Sequence, residues 1–138
     1  MALYREDPSP RQPTPEHVRR TLAIYRAEPV RGRALVLASV DGIAGYALLS
    51  SFWSNELGGE VCVIDELYVG PNVRGRGHGA DLLRTLAEQP GALWRERAVA
   101  LELETTPENH RARRLYERMG FRGKNAPLRR LLIDRTAP

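Results

Sequence analysis

Residues 64–80 read I-D-E-L-Y-V-G-P-N-V-R-G-R-G-H-G-A, and the rest of the chain is arranged around them. A strand-like run reaches Val69 and breaks at Gly70-Pro71. A loop of glycine and arginine follows, and Leu82, Leu83 and Leu86 start a helical pattern directly after Gly79. Three glycines at alternate positions, Gly75, Gly77 and Gly79, let the backbone turn tightly and bring successive N–H groups to one side. The next helix adds unpaired N–H donors and the positive end of its dipole, and Arg74 and Arg76 add full charges. The guest such a turn suits is a phosphate or pyrophosphate. Taken alone, the loop also reads as a plain structural turn.

Working outward, the segments before the loop form a meander. Thr14-Pro15-Glu16 reads as N-cap, N1 proline and acidic first turn of a helix that carries Val18, Leu22 and Tyr25 and ends near Glu28-Pro29. Arg33 to Val40 is an apolar strand, Asp41-Gly42 a two-residue hairpin signal, and Ile43 to Ser54 the second strand. Glu60 to Val69 is the third. Met1 to Pro13 is rich in proline and charge and is expected to be extended or frayed, with Ala2 to Arg5 able to add a short edge strand.

Beyond the loop, the helix runs to about Gln89, where Pro90-Gly91 breaks it, and Ala92 to Arg97 has room for a further turn. Val99 to Glu104 alternates apolar and acidic residues as a strand does. Because a helix intervenes, this strand is expected parallel to the one ending at Val69, by a right-handed crossover. Thr106 is the expected N-cap of a last helix with Ala112, Leu115, Tyr116 and Met119 on one face and Gly120 as its stop. Phe121 to Gly123 and Leu128 to Asp134 read as two closing strands.

At 138 residues the chain is expected to form one domain, 1–138. No apolar run approaches the roughly 20 residues that span a bilayer, and Met1 to Pro15 does not have the character of a signal peptide. These features give a cytoplasmic reading without membrane contact. The single Cys62 rules out an intrachain disulfide and argues against a cysteine metal site, and His17, His78 and His110 are scattered. No metal is expected. The net charge of +4 is uneven: Arg111 to Pro138 holds nine Arg or Lys against Glu117 and Asp134. A basic end of this kind attracts nucleic acid, an acidic protein or a phosphorylated cofactor. Nucleic acid is the weakest of the three, since the sequence lacks aromatic-and-basic strand motifs and zinc-finger spacings.

R-G-R-G-H-G at Arg74 to Gly79 resembles the R/Q-x-x-G-x-G/A signature of the GNAT superfamily of N-acetyltransferases. Asn109, Ala112 and L-Y-E-R-M-G-F at Leu115 to Phe121 resemble the family's second segment. The two stand in the family's order, and the resemblance covers roughly residues 33 to 134. It implies an α/β (α+β) fold, a mixed and mostly antiparallel twisted sheet flanked by helices, with a parallel strand pair splayed at the cofactor site. The implied cofactor is acetyl-CoA. Arg74, Gly75, Arg76, Gly77, His78, Gly79 and Ala80 would hold its pyrophosphate, and Leu67, Tyr68 and Val69 would pair with the pantetheine amides as an added strand. Asn109 would hydrogen-bond the same arm. Family members frequently dimerise, which leaves a homodimer open.

Transfer to an alkylammonium needs a base, an oriented thioester and a proton for the departing thiolate. Glu66 and Asp65 are the carboxylates at the end of the central strand. Glu66 is preferred as base, acting directly or through water, although a β-bulge there would exchange the faces of the two. Tyr116 on periodicity alone is a core aromatic, and the resemblance makes it the acid toward the thiolate. Cys62 reads as a small buried strand residue rather than an acyl carrier. One of Phe52 and Trp53 is expected in the core and the other in the acceptor pocket. The function implied is acetyl transfer to a primary amine of a small molecule or peptide by direct attack. The alternatives are a catalytically degenerate acyl-CoA sensor or interaction module and a dinucleotide oxidoreductase. The glycine spacing G-x-G-x-G argues against the second.

Overall fold

In the computed structural model, residues 12–123 are described, together with Leu3 and Arg130. Helix α1 (Pro15–Ala27) begins at a capping box. The Thr14 hydroxyl accepts the His17 N–H at 3.2 Å, and His17 Nδ1 accepts the Thr14 N–H at 3.3 Å. Strands β1 (Gly32–Ser39), β2 (Gly42–Ser54) and β3 (Gly59–Val69) follow, then helix α2 (His78–Glu88), strand β4 (Ala98–Leu103) and helix α3 (His110–Arg118). The sheet order is β1-β2-β3-β4. The first two pairings are antiparallel and β3–β4 is parallel, as the intervening helix requires.

One face of the sheet carries the core. Ala47 and Leu49 of β2 and Cys62 and Ile64 of β3 pack against Leu82, Leu83 and Leu86 of α2, with Leu115 and Tyr116 of α3 and its C-cap Met119 against the same cluster. The leucines of α2 fall at i, i+1 and i+4, the stripe an amphipathic helix lays on a sheet. Leu83 is 1% exposed, so truncating it to alanine is expected to cost about 2–5 kcal/mol. Helix α1 lies over the opposite face, where a side chain at Gly32 would collide with the Tyr25 ring.

Three details differ from the sequence reading. The last helix is capped by Asn109, not Thr106: Thr106 instead closes a turn through its carbonyl, which accepts the Asn109 N–H at 3.1 Å. Residues 92–96 form bends and Arg97 is irregular, without a further helical turn, and 121–123 are irregular rather than a strand. The strands expected at Ala2–Arg5 and Leu128–Asp134 lie almost wholly outside the described residues.

Candidate active site

The pairing of β2 with β3 slips by one residue. Leu49 faces Ile64 but Leu48 faces Glu66, which leaves Asp65 as the extra residue of a β-bulge. Under strict alternation Ile64 and Glu66 would share a face. The bulge instead puts Glu66 beside Leu48, opposite the core face, and returns Leu67 to the core cluster.

A second irregularity opens the sheet. β4 pairs with β3 only as far as Ile64 opposite Leu103, whereas β3 continues to Val69. Along residues 65–69 the β4 side of the strand therefore has no ladder partner from β4. A cavity of about 820 Å³ occupies the opening. Leu67, Tyr68 and Val69 form one wall, and Asn109, Ala112 and Tyr116 of α3 form another. The loop closes one end with Arg74, Gly75, Gly77, His78, Gly79 and Ala80.

Gly75 and Gly77 hold φ of +77° and +83°, and nothing lies within 4 Å of a Cβ built at either. What calls for glycine there is the left-handed backbone rather than lack of space. Gly77 is the N-cap of α2 and accepts the Asp81 N–H at 2.8 Å. Among the described residues no side chain caps this helix, which leaves its first N–H groups able to meet an anion. At Gly79 the reason is packing: a Cβ would stand 3.2 Å from Leu115 Cδ2, so the glycine sets how closely α2 and α3 approach.

Helix α3 positions two site residues through its ends. Asn109 Oδ1 accepts the Ala112 N–H at 3.2 Å, which fixes the side chain at the cavity wall. At the other end Gly120, at φ +92°, donates to the Glu117 carbonyl and Phe121 donates to the Tyr116 carbonyl at 3.0 Å. This is a Schellman closure. It brings the Phe121 ring edge-on to Tyr116 with centroids 6.0 Å apart, so the G-F that follows the helix braces the tyrosine.

The two loop arginines diverge. Arg74 donates from Nε to the Val69 carbonyl at 2.8 Å and lies over the Tyr68 ring. Arg76 does not line the cavity and reaches Asp41 at 3.6 Å.

Glu66 and Asp65 are not among the cavity-lining residues. The Tyr46 hydroxyl donates to Glu66 Oε2 at 3.0 Å, and Tyr46 pairs with Tyr68, ring centroids 5.9 Å apart. Partial burial pushes the Glu66 carboxyl above the ordinary carboxylate value. The Asp65 residue is exposed, yet its carboxyl is also pushed up by partial burial, pulled back by a hydrogen bond from Ser50 and raised a little by Glu104. Burial pushes the Tyr46 and Tyr25 hydroxyls up as well. Cys62 is 2% exposed, and burial raises its thiol to about 11, which leaves it a poor nucleophile at neutral pH. Phe52 and Trp53 are both exposed, so neither is the core residue the sequence suggested.

Sequence reasoning passed over Tyr46, which meets Glu66 only through cross-strand register. It also passed over Arg111, Arg114 and Arg118 as cavity residues, although their helical spacing carried the signal. Among the described residues no group of His, Cys, Asp or Glu could hold a metal, and no helix is long and apolar enough to cross a membrane.

Comparison with known proteins places these features. The profile of the Acetyltransferase (GNAT) family matches residues 1–121. An integron cassette protein from the mobile metagenome of Cole Harbour Salt Marsh is 31% identical, with 86% of this chain and 69% of that one covered and a TM-score of 0.63. A possible acetyltransferase from Clostridium difficile 630 shares the fold at a TM-score of 0.76 and 16% identity, over 96% and 86% of the two chains. The ribosomal-protein-alanine N-acetyltransferase of Brucella melitensis biovar Abortus 2308 does so at 0.69 and 19%, over 94% and 87%. No curated protein matches the chain.

Proposed function

This chain belongs to the GNAT family of acetyltransferases, and on that premise we propose that it moves an acetyl group from acetyl-CoA to a primary amine by direct attack in a ternary complex. The observation that carries the proposal is the single cavity that joins the glycine loop, the unpaired edge of β3 and Tyr116. The residues present suit the cofactor: positive-φ glycines, an uncapped helix N-terminus and a strand edge are what a pyrophosphate followed by an amide-bearing arm requires.

When bound, acetyl-CoA supplies an activated acetyl carbon and a thiol leaving group. Gly75 to Ala80 hold the pyrophosphate through backbone N–H groups, and Leu67 to Val69 pair with the amide arm. Asn109, its Oδ1 engaged in the helix cap, donates its amide N–H to that arm. A backbone N–H near Val69 polarises the thioester carbonyl. Glu66, or Asp65 beside it, takes the proton from the acceptor ammonium, directly or through one water, so that the amine presents a lone pair. Tyr116 gives a proton to the departing sulfur.

The acceptor is a small-molecule or peptide amine that approaches from the face of Glu66. The test mixes the protein with acetyl-CoA and a broad amine panel and follows free thiol. Release that depends on one amine class is the expected result. Binding of acetyl-CoA without turnover on any amine would turn the reading into an acyl-CoA sensor, and absence of binding would remove the cofactor assignment.

A further inference from the structure

We propose that the open sheet face beside Glu66, built by Ala34, Val36, Tyr46, Leu48 and Tyr68, binds the acceptor and selects a primary amine on an apolar body, an alkyl or arylalkyl monoamine, over a diamine of the same length. The inference rests on the acetyl-transfer reading above and names the substrate class for that site.

Register assembles this face. Across β1, β2 and β3 the paired residues form two rows, Val36–Tyr46–Tyr68 and Ala34–Leu48–Glu66, and directly paired residues share a face. Their strand neighbours Leu35, Ala47 and Leu67 belong to the core cluster, so both rows lie on the other face. Tyr25 of α1 stands over Gly32, one row further on. Beyond it Ala34 and Val36 are exposed, Val36 at 63%, while Leu48, Tyr46 and Tyr68 are partly buried.

Five of the six positions are apolar or aromatic, and the sixth is Glu66. The Tyr46 hydroxyl is turned to Glu66, so the ring is what Tyr46 offers to a guest. Tyr68 also lines the cavity, which makes the face continuous with the place assigned to acetyl-CoA. An acceptor here meets one anion and an apolar floor, which fits a single ammonium carried on hydrocarbon. The strands lie about 4.8 Å apart, so an extended chain of about eight carbons laid from Glu66 across Leu48 reaches β1. A second ammonium at its far end would lose water over Val36 with no anion to meet in either row. The nearby carboxylates Asp65 and Glu104 are both exposed, and Glu104 follows β4, on the far side of β3 from Val36. Hydrated carboxylates of this kind hold an ammonium weakly.

The test follows free thiol with acetyl-CoA and ethylamine, butylamine, octylamine, phenethylamine, octamethylenediamine or glycinamide as acceptor. It uses the wild type, Val36→Glu and Val40→Glu, with circular dichroism to check folding. Both variants change exposed positions, and Val40 lies outside the two rows. For the wild type, kcat/KM is expected to rise at least about tenfold from butylamine to octylamine, and phenethylamine should exceed ethylamine likewise. Octylamine should exceed octamethylenediamine about tenfold. Val36→Glu should lower octylamine about fivefold and raise the diamine about threefold, while Val40→Glu keeps the wild-type order. A wild type that turns over the diamine or glycinamide as well as octylamine overturns the inference and leaves acetyl transfer standing. So does an octylamine preference that Val36→Glu leaves untouched. Acetyl-CoA binding without thiol release on any amine removes the transfer reading itself, and the inference with it.

Discussion

The proposed cofactor side and the proposed acceptor side of the site are built by different means. On the proposed cofactor side the groups offered are mostly backbone: N–H donors of residues 75–80, a strand edge at 67–69, and a helix whose caps hold Asn109 and Tyr116. On the acceptor side they are side chains from separate strands. Glu66 accepts a hydrogen bond from Tyr46, and Asp65 one from Ser50, where β3 carries one extra residue. A backbone-built site is local in sequence and tolerates change in side chains but not in glycine. A site built across strands depends on register, and a small local change there is felt in chemistry rather than in binding.

The widest separation between the two sides is expected from Glu66→Gln. If Glu66 is the base, kcat falls about 100-fold or more, while acetyl-CoA binding by calorimetry is unchanged. Stability should move the other way. The folded-state pKa of Glu66 lies above its ordinary value of 4.5, so the folded protein binds more protons than the unfolded chain between those two values. Stability then falls as pH rises through that window, and above it the ionised carboxylate costs stability. The glutamine variant should melt at the same temperature or higher at neutral pH. A variant that keeps its turnover would transfer the role to Asp65 or to water.

Gly77→Val attacks the other side. A β-branched residue at φ +83° costs about 1–2 kcal/mol in backbone strain, and relieving it would swing the first N–H groups of α2 away from the anion. We expect acetyl-CoA affinity to drop about 30-fold by calorimetry, with kcat at saturating cofactor changed much less. An equal loss in kcat would mean that the two sides are coupled through α2.

The contrast also explains what the sequence made legible. The glycine loop, the helix that follows it and the Leu115–Phe121 segment could be read because each is a local pattern with its own stop signal. The Asp65 bulge could only be raised as an alternative. β3 reads E-V-C-V-I-D-E-L-Y-V and is apolar on both faces near its centre, so a period of two does not mark the extra residue. Thr106-Pro107-Glu108 has good entrance chemistry, yet the chain uses it for a turn and leaves the cap to Asn109. Phe121 was expected to start a strand. Its N–H is taken by the Tyr116 carbonyl in closing α3, which ends regular pairing there.

Tyr116→Phe falls between the sides, since the residue lines the cavity assigned to the cofactor and is the proposed proton donor in the transfer. A thiol has an ordinary pKa near 8.5, so its thiolate leaves with modest help. The expected loss in kcat is about tenfold below that pH and shrinks above it. A rate equal to wild type across about pH 6 to 9 would end the proton-donor assignment, and Tyr116 would then be a core aromatic braced by Phe121.

The smallest effect is expected from Tyr46→Phe, and it tests the acceptor side most finely. The Tyr46 hydroxyl donates to Glu66 at 3.0 Å, and burial raises its own pKa, so it stays a donor throughout the working pH range. A hydrogen bond to a carboxylate favours the ionised form. Partial burial raises the Glu66 pKa. Removing the bond should raise it further and move the acid limb of the kcat/KM profile to higher pH. On the alkaline side of that limb the rates should differ little, and acetyl-CoA binding should not change at all. A uniform fall in rate at every pH would assign Tyr46 to contact with the acceptor instead. An unshifted profile would remove Glu66 as the titrating base, because the group that sets the acid limb would then be one that Tyr46 does not touch.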